Sequence, residues 1–149
     1  MANSDFDSLY QDLLIEHSKQ RHGFGLQPEP AAEVHSLNRS CGDEVTLRLH
    51  MDGERVEAVS WEGQGCAISQ ASASMLSDLV QGMPPEECRD CIAAFRSMLQ
   101  SRGKDQDAPE QLGDAVALHG VSMYPPRIKC AMLAWVALED ALEQAVPTN

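Results

Sequence analysis

Gly63-Gln64-Gly65-Cys66-Ala67-Ile68-Ser69-Gln70-Ala71-Ser72-Ala73-Ser74-Met75 is the stretch on which the fold turns. A strand-like segment ends here and a helix of small residues begins. Gly63 and Gly65 let the backbone turn sharply, which predicts that Cys66 lies at the junction, at the start of the helix. Unpaired N–H groups and the positive end of the helix dipole favour a thiolate at such a place, and the thiolate is the form that binds metal or attacks sulfur. Ile68, Ala71, Met75 and Leu79 then recur at helical spacing, while Ser69, Ser72 and Ala73 keep the rest of the surface slim enough for close packing.

Upstream, Glu33 to Leu37, Glu44 to Met51 and Arg55 to Glu62 alternate polar with apolar residues, and Asp52-Gly53 suits a tight hairpin turn. Three antiparallel strands are expected. Before them, Phe6, Leu9, Tyr10, Leu13 and Leu14 mark an amphipathic helix running to about Lys19, and His22 to Pro30 reads as an extended connection with a mobile tip. Downstream, Gly82 ends the helix that begins near Cys66, and Pro84-Pro85-Glu86-Glu87 opens another that reaches about Gln100. Ser101 to Gly113 is polar and reads as a surface insertion, and Gly120 to Pro126 as a loop. Pro126 then starts a last helix with Cys130, Leu133, Ala137 and Ala141 on one stripe, placing Cys130 in its first turn. The expected fold is α+β: one domain over 1–149, with a three-stranded antiparallel sheet packed against helices.

A chain of 149 residues with 43% hydrophobic content is long enough to bury a core without disulfides. Its net charge of −12, with only 11 Lys and Arg, argues against nucleic acid or an anionic membrane as partner. Met1 to Gln20 lacks the continuous apolar segment of a secretory signal, and no stretch is apolar enough to span a bilayer. Five cysteines, an odd number without an export signal, suggest reduced thiols in the cytoplasm engaged in metal or sulfur chemistry.

Asn38-Arg39-Ser40-Cys41-Gly42-Asp43, between the first two strands, sets a thiol and a carboxylate two residues apart. Cys41, Asp43, Cys66 and Cys130 therefore allow two readings. Taken singly, each is a small buried residue or a turn former. Taken together, three thiols and a carboxylate at element junctions match the sulfur-rich tetrahedral set that zinc prefers. Cys88-x-x-Cys91 has the spacing of a zinc knuckle or redox dithiol, but it shares a helical face with Ile92, Phe95 and Leu99, so both thiols are expected in the core. His17, His22, His35, His50 and His119 are scattered, with no pair at ligand spacing on a helix, and read as solvated or capping residues.

A family resemblance rests on these same segments. Asn38 to Asp43 resembles the Asn-Pro-x-Cys-Gly-Asp loop of the IscU/NifU-like iron–sulfur assembly proteins, with Arg39 in place of the usual proline. Gly63 to Ser74 resembles their Gly-x-Gly-Cys-x-Ile-Ser-x-Ala-Ser-x-Ser segment. Tyr124-Pro125-Pro126-Arg127-Ile128-Lys129-Cys130 followed by Trp135 is similar to the C-terminal motif of the SufU branch. Lys129 stands where the scaffold branch carries histidine, the insertion falls where SufU-type proteins carry one, and the scaffolds' Leu-Pro-Pro-Val-Lys motif is missing. The resemblance implies a zinc ion held by Cys41, Asp43, Cys66 and Cys130, with Arg127 nearby offsetting the charge of the ligands. It implies a zinc-dependent sulfurtransferase that accepts persulfide sulfur from a SufS-type cysteine desulfurase and passes it to downstream SUF components. Cys41 is the expected acceptor, because a cysteine before Gly42 in an inter-strand loop can leave a closed four-ligand site more easily than Cys66 or Cys130 at a helix start. The alternative it leaves open is a scaffold on which an iron–sulfur cluster is assembled.

Overall fold

The computed structural model describes residues 3–40, 42–101 and 110–146. Helix α1 (Asn3–Gln20) leads into a meander of three antiparallel strands, β1 (Ala32–Asn38), β2 (Asp43–Asp52) and β3 (Arg55–Gln64), in sheet order β1-β2-β3. Helices α2 (Ala67–Val80) and α3 (Pro85–Gln100) follow. A 3₁₀ segment (Glu110–Met123) then leads to the final helix α4 (Pro125–Ala145).

Period-two alternation is clearest in β2, where Val45, Leu47 and Leu49 are buried and Glu44, Thr46 and Arg48 are less so. That apolar face packs on α4, which also covers β1. Helix α2 occupies the centre, against α1, β3, the 3₁₀ segment and α4. Its slimness explains how one helix meets so many neighbours: Ser69, Ala71, Ser72, Ala73, Ser74 and Ser77 are all buried. Buried hydroxyls need partners. Ser72 donates to the Ala131 carbonyl at 2.6 Å and accepts from the Trp135 indole at 2.8 Å, which fixes α4 on α2. Trp135 in turn stacks on Phe95 of α3, with centroids 3.8 Å apart and planes within 6°.

Several elements depart from the sequence reading. The connection after α1 is not a free tip: Phe24 forms a parallel bridge with Trp61, whose backbone exchanges hydrogen bonds of 3.0 and 2.8 Å with Gly23 and Gly25. Gly23, at φ +80°, lies so close to α2 that a Cβ would meet the Ser77 hydroxyl at 2.1 Å. The end of the expected insertion, Glu110–Gly113, is already 3₁₀ with Leu112 fully buried, and the expected loop from Gly120 continues that helix as far as Met123. Residues 102–109 of the insertion lie outside the described residues. The last helix starts at Pro125, one residue early, which puts Cys130 in its second turn rather than its first.

Candidate metal centre

Strand register builds the site. Asn38 pairs with Asp43 across β1 and β2, and Glu44 pairs with Gln64 across β2 and β3. The start of β2 and the exit of β3 therefore meet at one end of the sheet, and the chain passes from Gln64 through Gly65 to Cys66 within that corner. Cys66 is the N-cap of α2, with extended backbone at φ −70° and ψ 169°. Its own amide donates to Asp43 Oδ1 at 3.1 Å, and its Sγ lies 3.5 Å from Asp43 Oδ2. Ser69, one turn into the helix, donates its hydroxyl to the Cys66 carbonyl at 3.0 Å. One carboxylate thus holds the cysteine's backbone with one oxygen and faces its sulfur with the other.

Cys130 arrives from α4, 5% exposed, and completes a trio. One donor atom each from Asp43, Cys66 and Cys130 lies within 4.8 Å of the other two. Asp43 is 2% exposed, whereas Cys66 is open to solvent, so the trio has a buried floor and an accessible rim. Oxygen and sulfur donors bound to one tetrahedral zinc ion stand roughly 3.5 Å apart, given bond lengths of about 2.0 and 2.3 Å. The Asp43–Cys66 separation already has that value, and the donors fit the ion. Gly65 is what permits the approach: a Cβ there would lie 2.6 Å from Asp43 Oδ1 and 2.4 Å from Ser69 Oγ. Gly63 serves the strands instead, since its Cβ would fall 2.3 Å from the Glu44 carbonyl.

Cys41, the fourth expected ligand, lies outside the described residues; its neighbour Gly42 has φ +74° and donates its amide to the Asn38 carbonyl at 2.9 Å. Arg127 lies one turn before Cys130, exposed on the wall of a groove of about 660 Å³ that also touches Tyr10, Leu14, Ile68, Met123 and Tyr124. The groove runs from Ile68, in the first turn of α2, along α1 to the end of the 3₁₀ segment.

The NifU-like N-terminal domain model matches residues 9–131, a range that takes in Asp43, Cys66 and Cys130. The chain belongs to the NifU-like N-terminal domain family. It is 40% identical over 140 residues to the zinc-dependent sulfurtransferase SufU of Bacillus subtilis, covering 94% of this chain and 93% of that protein. It is 38% identical over 145 residues to the iron–sulfur cluster assembly scaffold protein IscU of Streptococcus pyogenes serotype M1, covering 97% and 89%. Among solved structures, the N-terminal part of a nitrogen-fixing NifU-like protein from Brucella abortus superposes with a TM-score of 0.84 at 27% identity, covering 97% of this chain and 99% of that one.

In this NifU-like domain Cys88 and Cys91 sit on α3, buried in the core. Burial pushes the Cys88 thiol up to about 12, with Cys91 and Glu87 adding to the effect, and burial likewise raises Cys91. Thiols held protonated in an apolar setting neither bind metal nor exchange disulfides readily. The histidines differ from the sequence reading: His17 and His50 are buried, and His50 exchanges a 2.8 Å hydrogen bond with Ser60. Sequence reasoning also missed the capping of Cys66 by Asp43, a contact between residues 23 apart for which no local motif exists.

Proposed function

We propose that this chain is a zinc-dependent persulfide acceptor that takes sulfur from a SufS-type cysteine desulfurase and hands it to the SUF machinery for iron–sulfur cluster assembly. The observation that carries this reading is the convergence of Asp43, Cys66 and Cys130 at the corner where the Cys41 loop joins β2. Similarity to a protein named zinc-dependent sulfurtransferase supports it. Cys41, Asp43, Cys66 and Cys130 would hold the zinc, which when bound keeps its thiol ligands deprotonated at neutral pH.

Cys41 is the sulfur acceptor in this proposal. Its thiolate attacks the terminal sulfur of the desulfurase's cysteine persulfide, a new S–S bond forms on Cys41, and the desulfurase cysteine leaves as a thiolate. Sulfur is transferred without net oxidation. Cys66 and Cys130 are less free to move. The Cys66 backbone is held by Asp43 and by Ser69, and Cys130 lies within the packed α4. Cys41 sits beside Gly42 in the connection between two strands, where a change of backbone disturbs no helix. Exposed Arg127 supplies positive charge beside a ligand set whose four negative charges exceed those of a divalent ion. The partner's reacting cysteine would reach the open Cys66 side of the corner.

Protein purified without oxygen should carry one tightly held zinc per chain with no acid-labile sulfide, and should raise the turnover of a SufS-type desulfurase in the presence of a thiol. A second reading, a scaffold for cluster assembly, is favoured by the similarity to a protein named IscU scaffold. A reconstituted cluster that is stable and transfers intact to an apo-acceptor would establish that reading and displace the first.

A further inference from the structure

At the far end of α1, a second group of ligating side chains converges without any sulfur. His17 is in the last turn of α1, His22 follows just beyond it, and Asp78 lies on α2, one turn after Ser74. One donor atom of each lies within 4.8 Å of the other two. We infer that His17, His22 and Asp78 form a second metal site, for a zinc-class divalent ion, distinct from the Asp43–Cys66–Cys130 corner and independent of the sulfur-transfer reading.

The hydrogen bonds around the trio prepare it for a cation. His17, 4% exposed, sets Nε2 3.1 Å from Asp114 Oδ2, so the proton belongs on Nε2 and the lone pair on Nδ1. A carboxylate behind a histidine is the arrangement that orients metal-binding imidazoles and raises their basicity. Nδ1 faces the Ser74 hydroxyl at 2.7 Å, and that oxygen accepts the His22 amide at 2.9 Å, so the hydroxyl proton points to His17 and has to rotate away for Nδ1 to bind an ion. His22 has an acceptor on each side of its ring. Nδ1 lies 2.6 Å from Asp78 Oδ2, and Nε2 lies 2.7 Å from Gln20 Oε1, whose amide is oriented by its own donation to Glu16 at 3.1 Å. The position between His22 and Asp78 thus calls for positive charge, and a divalent ion there would also balance Asp114.

Size and access agree. Nitrogen and oxygen ligands of a tetrahedral ion stand roughly 3.4 Å apart for bonds of about 2.0–2.1 Å, so His22 and Asp78 would separate by under about 1 Å. Both are free to do so, with side chains 38% and 51% exposed, and their exposure provides the entry path. Two imidazoles and a carboxylate suit zinc, cobalt or nickel rather than calcium or magnesium. An ion there would pin the end of α1 to α2, and α1 forms one wall of the groove that Arg127 and Ile68 also line.

The test is a cobalt(II) titration of the full chain already carrying one zinc, which cobalt displaces poorly. Wild type should take up one further equivalent, with ligand-field absorption but no sulfur-to-cobalt charge-transfer band. His22→Ala and Asp78→Asn should abolish that equivalent while retaining the first zinc and the wild-type circular dichroism. Asp114→Asn should weaken it about 10- to 100-fold. Because His17 is buried, no arm depends on replacing it. Absence of a second equivalent in wild type overturns the proposal, and so does a second equivalent that survives in the His22→Ala/Asp78→Asn double variant, which would mark adventitious binding to an acidic surface.

Discussion

Gly65→Ala should damage the Asp43–Cys66–Cys130 corner without replacing any of its donors. The backbone at Gly65 is not in the left-handed region, so an alanine there meets no torsional objection and the cost is steric. Its Cβ would lie 2.6 Å from Asp43 Oδ1, 2.7 Å from Asp43 Cγ and 2.4 Å from Ser69 Oγ. Relief requires the carboxylate to retreat by roughly 0.7 Å toward ordinary contact distance, which lengthens the 3.1 Å bond from the Cys66 amide past the limit of a hydrogen bond. Overpacking of this kind costs about 1–3 kcal/mol, and a lost bond to a charged acceptor about 1.5–3 kcal/mol. One displacement causes both, so the two overlap, and we expect a net loss of about 2–4 kcal/mol, or roughly 4–16 °C in Tm for a chain of this size. Zinc affinity should fall about 10- to 100-fold, since the ligand's supporting contact is gone. Thermal melts of zinc-loaded and chelator-treated protein, with competition against a chromophoric zinc chelator, read both effects. Adding Ser69→Ala removes the 2.4 Å clash and should recover part of the stability but little of the affinity. Wild-type Tm and zinc affinity in Gly65→Ala would refute the reasoning.

Other perturbations separate the site from the scaffold. Cys88→Ala and Cys91→Ala should retain full zinc and full sulfur acceptance, each losing only about 1 kcal/mol of packing in a denaturant melt. In the native protein at pH 8, iodoacetamide should leave both unmodified, because burial raises both thiols and Cys88, at about 12, is almost wholly protonated there. His50 is lowered by burial, so the unfolded chain takes up a proton first as pH falls through about 6.5; its contribution to stability is present above that value and is lost below it. His50→Gln should therefore flatten the stability profile on the acid side of pH 6.5 in urea melts. Arg127→Ala should leave the unfolding free energy within about 0.5 kcal/mol of wild type while reducing stimulation of the desulfurase; full stimulation would remove Arg127 from the site.

The sheet was legible because β2 is covered on one face only, so its alternation survives in the sequence. Helix α2 was legible from Gly65 and Gly82 at its ends, although the density of buried serines says nothing by itself about how many elements converge on it. The 3₁₀ segment was hidden by Gly113 and Gly120, which read as loop punctuation; Gly113 does break the helix, at φ 54° and ψ −133°, but the segment resumes with Ala115, Leu118 and Val121 buried. At the site, residue types and junctions singled out Asp43, Cys66 and Cys130, but nothing local reveals that Asp43 caps Cys66 or that Gly65 makes room for it. Those facts depend on strand register. The His17–His22–Asp78 group was invisible for the same reason: Asp78 is 56 residues from His22, and only the packing of α1 on α2 unites them.

The central claim, that Cys41 accepts persulfide sulfur at a zinc-holding corner, is tested most directly by mixing zinc-loaded protein with a SufS-type desulfurase and cysteine, trapping thiols by alkylation and locating the added sulfur by peptide mass spectrometry. The account predicts one extra sulfur on the Cys41 peptide, none in Cys41→Ala, and none on Cys88 or Cys91. Extra sulfur found reproducibly on Cys66 or Cys130, or undiminished sulfur uptake by Cys41→Ala, would contradict it.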